Sequence, residues 1–216
     1  DEKTEEMELN ASIGGPIFKD HLFFFAFVRY WDRDRLAIGT TKATNYLYSQ
    51  PYYGGKVDWN ITANHRLEGT YISDSIETDL QDYPFDPETG LGPAGLKGTQ
   101  SRGGDNYIGK YTGIFTENFL VAAQYGVNDF ARTNASEGDP CAYAWDMRGG
   151  GQIKEGCWVN WSRGAADDSR NAGRLDADWY LGRHSLRGGI DTESNVSNDL
   201  TQYSGGIYFL YLDASE

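Results

Sequence analysis

Between Lys56 and Ser73 the chain carries an alternation of period two, written twice with a short break between the copies. In VDWNIT, Val57, Trp59 and Ile61 alternate with Lys56, Asp58 and Asn60, which puts one class of side chain on each face of a β-strand. In RLEGTYIS, Leu67, Gly69 and Tyr71 alternate with Arg66, Glu68 and Thr70, and the link through Thr62 to His65 is short enough for a hairpin. A helix with its period of 3.6 would scatter these residues around its surface.

The unit recurs. Tyr107, Gly109, Tyr111, Gly113 and Phe115 oppose Lys110 and Thr112, and after Glu117-Asn118 a second run sets Phe119, Val121, Ala123, Tyr125 and Val127 opposite Gln124 and Asn128. Leu175, Ala177, Trp179 and Leu181 then oppose Asp176, Asp178 and Tyr180, followed past Arg183-His184-Ser185 by Leu186, Gly188 and Ile190 opposite Arg187 and Asp191. Strands are expected over roughly 5–17, 21–32, 53–62, 65–76, 105–116, 118–131, 172–182, 185–196 and 202–212.

Charges in the middle of strands must face water or a polar partner. A barrel with a wet interior provides that, and so does a soluble sandwich with one solvated face. The connections separate the two. Short ones at 18–20, 62–65, 116–118 and 182–185 alternate with long polar ones near 32–51, 75–104 and 132–170, the asymmetry of periplasmic turns and extracellular loops in outer-membrane barrels. Aromatic residues near strand ends, such as Tyr30, Trp31, Tyr52, Tyr53, Phe115, Phe119 and Tyr125, suit interfacial girdles, although cross-strand pairs in an ordinary sheet would place them similarly.

Composition agrees: 15 Tyr, 10 Phe, 6 Trp and 27 Gly supply strand and turn formers. The longest apolar stretch, Leu22 to Val28, falls far short of the ~20 residues of a membrane helix. Mean hydropathy is low at −0.61, as expected when only alternate residues meet lipid. A net charge of −13 speaks against nucleic acid as a partner. The expected fold is an all-β, antiparallel, up-and-down transmembrane barrel. Nine strands leave such a sheet open, and the opening DEKTEEMELN reads as no signal peptide, so residues 1–216 are expected to be one section of a larger barrel.

Residues 9–34, LNASIGGPIFKDHLFFFAFVRYWDRD, combine Gly14-Gly15-Pro16-Ile17, the Lys19-Asp20 turn and Leu22-Phe23-Phe24-Phe25. The glycines loosen the strand, Pro16 removes a ladder donor near its end, and Phe23, Phe25 and Phe27 share one face. This segment resembles the first barrel hairpin of TonB-dependent outer-membrane receptors, especially the large-receptor branch that carries a carboxypeptidase-regulatory-like domain. The resemblance implies a plug upstream, further strands downstream, and uptake of an extracellular substrate with energy supplied through the TonB complex. It also implies lipid outside the Phe-rich strand and the plug inside. The rival readings are a non-transporting outer-membrane barrel, adhesive or structural, and a soluble secreted sandwich that binds a ligand.

Other chemistry is sparse. Cys141 and Cys157 lie in one long loop and suit a disulfide worth ~3 kcal/mol in the chain-entropy model, with free thiols as the alternative. His21, His65 and His184 sit at predicted turns and make poor metal ligands or bases. Asp79, Asp82, Asp86 and Glu88, or Asp167 and Asp168, would bind calcium only if folded together, and solvated loop charge is the simpler reading. No nucleophile elbow or phosphate loop occurs, so neither enzyme activity nor a cofactor is expected. The loop residues Tyr143, Trp145, Arg148, Trp158 and Trp161 are candidates for gripping a peptide or carbohydrate, or for packing the loop against itself.

Overall fold

The computed structural model describes residues 3–150, 153–160 and 162–213. Its strands are β1 (Lys3–Phe18), β2 (Leu22–Ile38), β3 (Lys42–Thr62), β4 (His65–Ser73), β5 (Ile76–Asp86), β6 (Gly90–Leu91), β7 (Lys97–Gly103), β8 (Asp105–Thr116), β9 (Phe119–Ser136), β10 (Tyr143–Asp146), β11 (Ile153–Glu155), β12 (Ser162–Leu181), β13 (His184–Tyr203) and β14 (Tyr208–Tyr211). Helix is confined to two three-residue 3-10 turns among the described residues.

Registers reduce this inventory to a simple plan. On β3, Tyr53 opposite Ser73 of β4 and Tyr48 opposite Thr78 of β5 lie on one unbroken register. On β9, Asn106 of β8 opposite Asn128 and Gly103 of β7 opposite Ala131 do the same. Thus β4 and β5 are one long strand interrupted at Asp74-Ser75, and β7 and β8 are one interrupted at Gly104. The two interruptions hold each other: Asp74 N donates to Gly104 O at 3.0 Å, and Gly104 N donates to Asp74 Oδ1 at 2.9 Å. Counted so, the main sheet is an antiparallel meander of eight long strands, with β1 and β13 as its unpaired edges among the described residues. Among the described residues the sheet does not close on itself.

The expected ninth strand is not part of this sheet. Gln202 and Tyr203 end β13, while β14 pairs in parallel with β10, which pairs with β11 in a separate three-stranded sheet. The long connections also turn out shorter than expected. The first is only residues 39–41, because β2 and β3 stay paired from Ile38 and Ala43 downwards; the second contains β5, β6 and β7; the third runs from 137 to 161. Beyond the lipid both faces of a strand are wet, so pairing continues through backbone bonds while the apolar alternation that reveals a strand in the sequence disappears.

Directly opposed residues share a face of the sheet, and successive residues of a strand take opposite faces. One face carries Leu22, Phe24, Ala26 and Val28 on β2, Val57 and Trp59 on β3, Leu67 and Tyr71 on β4, Val121 and Tyr125 on β9, and Leu186 and Ile190 on β13. It is an apolar belt that the protein leaves exposed at Val28, Val57, Trp59, Leu67, Tyr125, Leu186 and Ile190 and half-buried at the others. On β2 it ends at Tyr30, before Asp32 and Asp34, a length suited to the ~9–11 residues of a tilted membrane strand. Rows of aromatic rings bound the belt. At the extracellular side Tyr53, Tyr71 and Tyr107 follow one another at 6.1 and 5.0 Å; at the side of the short turns His65, Phe115, Phe119 and Trp179 do so at 5.3, 6.1 and 6.3 Å. Of the residues expected in girdles, Tyr53, Phe115 and Phe119 lie in these rows, whereas Trp31 packs on Tyr48 and Tyr52 on Phe27 at the other face, and Tyr125, opposite Gly109, stands within the belt.

Candidate functional site

The opposite face is charged. Arg66 binds Glu68 at 2.8 Å and Asp58 at 2.9 Å, Lys56 reaches Asp58 at 3.0 Å, and Lys110 approaches Glu68 at 4.0 Å. Further round, Arg174 pairs with Asp176 at 2.5 Å, and Arg187 lies 3.6 Å from Asp178. Such a ladder needs water or polar cover, so this is the lumen face.

The hairpin of β1 and β2 departs from that rule. Phe25 stands opposite Lys56 and Phe23 opposite Asp58, so the Phe23, Phe25 and Phe27 stripe projects into the charged side while Phe24 points to lipid. Phe25 and Phe27 lie 6.1 Å apart, and Phe27 is 5.5 Å from Tyr52. The motif's glycine has a sharper purpose than loosening a strand: a Cβ at Gly14 would sit 3.1 Å from the Phe25 ring. Pro16 pairs with Phe23 just before a bulge that separates it from the Phe18 to Leu22 pair. Beyond Lys19, Asp20 takes a φ of 64° to complete the turn.

Above the lumen, the loop after β9 folds inward over the mouth. Its disulfide, Cys141 to Cys157, is formed. Lys42 Nζ donates to Val159 O at 3.2 Å, Gln100 Nε2 donates to Asn160 Oδ1 at 3.0 Å, and Asn160 N donates to Ser136 Oγ at 3.3 Å. Lys42 and Gln100 belong to the lumen-facing set, so the loop is moored to the inner wall. Between loop and wall lies a cavity of about 730 Å³, lined by Tyr46, Tyr83, Leu96, Tyr143 and Trp158 among others. That size falls within the ~300–1,000 Å³ typical of small-molecule sites. Asp82, only 5% exposed, is held there by an ion pair with Lys42 and a 2.7 Å bond from Thr44 Oγ1.

Of the candidate loop residues, Tyr143 and Trp158 are brought together in the cavity wall. Trp158 is 4% exposed, its Nε1 donates to Gly138 O at 3.2 Å, and the Arg163 guanidinium covers its ring at 4.0 Å. Burial raises the phenol pKa of Tyr143 above its ordinary value. Trp145 and Arg148 are outside the cavity lining: Lys154 Nζ lies 4.7 Å over the Trp145 ring, and Arg148 clasps both oxygens of Asp146 at 2.9 and 2.6 Å. Trp161 lies outside the described residues.

Lys42, Tyr46 and Leu96 carry no signal in the sequence because they sit where strand periodicity fades, and Asp82 reads there only as one of a group of loop acids. Asp82 was grouped there with Asp79, Asp86 and Glu88, but Asp79 and Asp82 point to opposite faces of β5, and Asp86 instead caps a turn by accepting from the N–H groups of Glu88 and Thr89 at 2.8 Å. Those two N–H groups, Thr89's foremost, hold the Asp86 carboxyl below its ordinary pKa. Asp167 and Asp168 are neighbours on β12 and so also diverge. Of the histidines, His21 Nδ1 contacts Asn60 O at 3.1 Å and His65 Nδ1 contacts the Tyr111 hydroxyl at 2.7 Å.

A family model described as an outer membrane beta barrel domain matches residues 36–211. No curated protein matches the chain. Among solved structures it is similar to the TodX monoaromatic hydrocarbon channel, as a deltaS2 mutant, at 11% identity and a TM-score of 0.33, over 89% of this chain and 55% of that one. It is also similar to the CymD monoaromatic hydrocarbon channel at 9% identity and a TM-score of 0.28, over 93% of this chain and 73% of that one. The chain thus spans about half the length of the TodX structure.

Proposed function

This chain belongs to the outer membrane beta barrel domain family and lies in the bacterial outer membrane, and on that footing we propose that it is the ligand-binding section of a plugged, energised uptake receptor. The observation that carries this reading is the Phe23, Phe25 and Phe27 stripe on the lumen side, with Phe25 47% exposed. Apolar rings facing a water-filled pore waste the burial free energy of ~1.5–3 kcal/mol each would gain under cover. A plug inside the barrel provides that cover. The resemblance of residues 9–34 to the first hairpin of TonB-dependent receptors supports the same cover and, with it, energy from the TonB complex.

The inward-folded, disulfide-closed loop supports a receptor over a structural barrel, since it builds a walled cavity at the mouth. Its charges, Lys42 and Asp82, satisfy each other, so the site is taken to bind rather than to catalyse, without a cofactor. Aromatic walls with a few polar groups suit a peptide or a carbohydrate. With a net charge of −13, nucleic acid is not the cargo.

The test is uptake of labelled peptide and oligosaccharide pools by cells carrying the full-length gene, with and without TonB. Accumulation that stops when TonB is removed is the expected result. Binding without any energised accumulation would favour an adhesin, and uptake that ignores TonB would favour an open channel.

A further inference from the structure

The lipid-facing belt is not uniform. Directly across the sheet, Val57, Gly69 and Gly109 form one row and Gly55, Tyr71 and Tyr107 the next, so three glycines meet in the middle of the belt. They floor an apolar groove of about 670 Å³ walled by Phe24, Val57, Tyr71, Tyr107, Tyr125 and Val127. The space is real at its centre: a Cβ on Gly69 or on Gly109 would meet nothing within 4 Å. It is the volume that side chains at these positions would have occupied, one residue row deep.

Its walls show what belongs in it. Tyr71 sends its hydroxyl to Asp105 Oδ1 at 2.9 Å, and Tyr125 sends its own to Asn171 Oδ1 at 3.3 Å. Their polar ends are thus committed within the protein, and the groove is lined chiefly by ring faces, methyl groups and glycine backbone, with Lys56 and Thr70 contributing from positions that alternate to the opposite face. It lies against the extracellular row of aromatic rings, whose Tyr71 and Tyr107 form one of its walls, in continuity with the surface that meets the bilayer core. From these observations we propose that the groove is a specific seat for one acyl chain of an outer-membrane lipid. A single flexible chain fills a slot one residue deep, whereas a second barrel, convex and studded with its own side chains, would bridge over it and gain nothing on the lipid it displaced. Recognition comes from shape and dispersion rather than from a headgroup. This site is separate from the cavity at the mouth and stands whether or not the uptake reading does.

The full-length protein is placed in phosphatidylethanolamine vesicles that contain a small fraction of the same lipid with a diazirine in mid-chain, irradiated, digested and mapped by mass spectrometry. Labelling at Val57, Tyr71, Tyr107 and Val127 is expected to exceed that at the equally lipid-facing Leu175, Leu186 and Ile190 by about fourfold, the ratio that one further buried methylene gives. The double variant Gly69→Leu, Gly109→Leu fills the slot without a backbone clash and is expected to level the two regions. Gly188→Leu, at an open glycine on the same face but outside the groove, is expected to leave the contrast intact. Folding of each variant is checked by heat-modifiable gel mobility, and the wild-type map decides the matter alone should the double variant misfold. Even labelling along the belt, an unchanged contrast in the filled double variant, or protein-to-protein crosslinks centred on Gly69 would overturn the proposal.

Discussion

The Phe27 ring packs against Gly54: a Cβ added at that glycine would stand 2.8 Å from Phe27 Cε1 and 2.7 Å from the carbonyl oxygen of Tyr71. The ring could swing away, but the backbone oxygen could not. Gly54→Val is therefore expected to lower stability by about 1–3 kcal/mol, the usual cost of overpacking. Gly15→Val, where a Cβ meets nothing within 4 Å, serves as its control. The temperature at which each variant loses its folded gel mobility checks the difference.

How much of this was legible beforehand follows from the solvent on each side of a strand. Where one face met lipid, residues such as Val57, Trp59, Leu67 and Tyr71 wrote a period of two, and the short turns were placed within a residue or two. Above Tyr30 and Tyr53 both faces are wet, so β5, β7, the upper halves of β3 and β12 and the upper ends of β2, β9 and β13 passed for loop. Asp82 and Lys42 lie in that zone, 40 residues apart, and no local pattern announces a pair formed only by strand register. The same holds for β14, whose YFLY reads as a barrel strand in isolation yet pairs in parallel with Tyr143 to Asp146.

The disulfide closes the loop that covers the mouth, and Ser204 ties the segment after β13 to it, with Oγ donating to Cys141 O at 2.6 Å and accepting from Cys141 N at 3.2 Å. Cys141 and Cys157 are expected to resist alkylation until a reductant is added. The pair is worth about 3 kcal/mol for a loop of this length, so reduction should raise the rate of limited proteolysis within 137–161 by roughly a hundredfold when cleavage follows local opening. Thermal unfolding of the meander should move little, because its registers run independently of the loop.

Lys42 carries a specific load, as Asp82 is almost wholly buried and Thr44 supplies its other contact. Lys42→Met leaves that carboxylate without its counter-charge. Removing one partner of a buried pair costs about 3–5 kcal/mol, and half of that is expected here because Lys42 is itself partly exposed. Lys42→Met combined with Asp82→Leu should recover most of the loss, which denaturant titration of the single and double variants would reveal. Ligand binding should fall in the single variant, since the Lys42 bond to Val159 O also anchors the loop.

A pH effect is expected outside the membrane at Asp146. The Arg148 side chain, followed by the Arg148 backbone N–H, holds its carboxyl down at about 2 from an ordinary 3.8. For a carboxyl lowered on folding, the favourable contribution is complete above the ordinary value and is lost as pH falls through the lowered one. The contact should therefore be constant from pH 7 to about 4 and fade between about 4 and 2. Following the Asp146 carboxyl carbon by NMR tests this directly, and Arg148→Gln should return the titration towards 3.8. Constancy down to pH 4 also means that mild acidification cannot open the loop by this route.

Lys56 and Val57 are adjacent on β3 yet meet different solvents, because Lys56 stands opposite Phe25 on the lumen side and Val57 opposite Phe24 on the lipid side. Identical charge at the two positions should thus have opposite consequences. Val57→Arg places a guanidinium near mid-belt, where a cation on a barrel's lipid face costs about 2–4 kcal/mol. Lys56→Arg keeps a cation within reach of Asp58 and Glu68, now 3.0 and 3.7 Å from Lys56 Nζ, and should be close to neutral. Folded yield in the outer membrane, scored by heat-modifiable mobility, should fall steeply for Val57→Arg and hardly at all for Lys56→Arg. Equal tolerance at both positions would mean that the two faces of this sheet had been assigned to the wrong solvents.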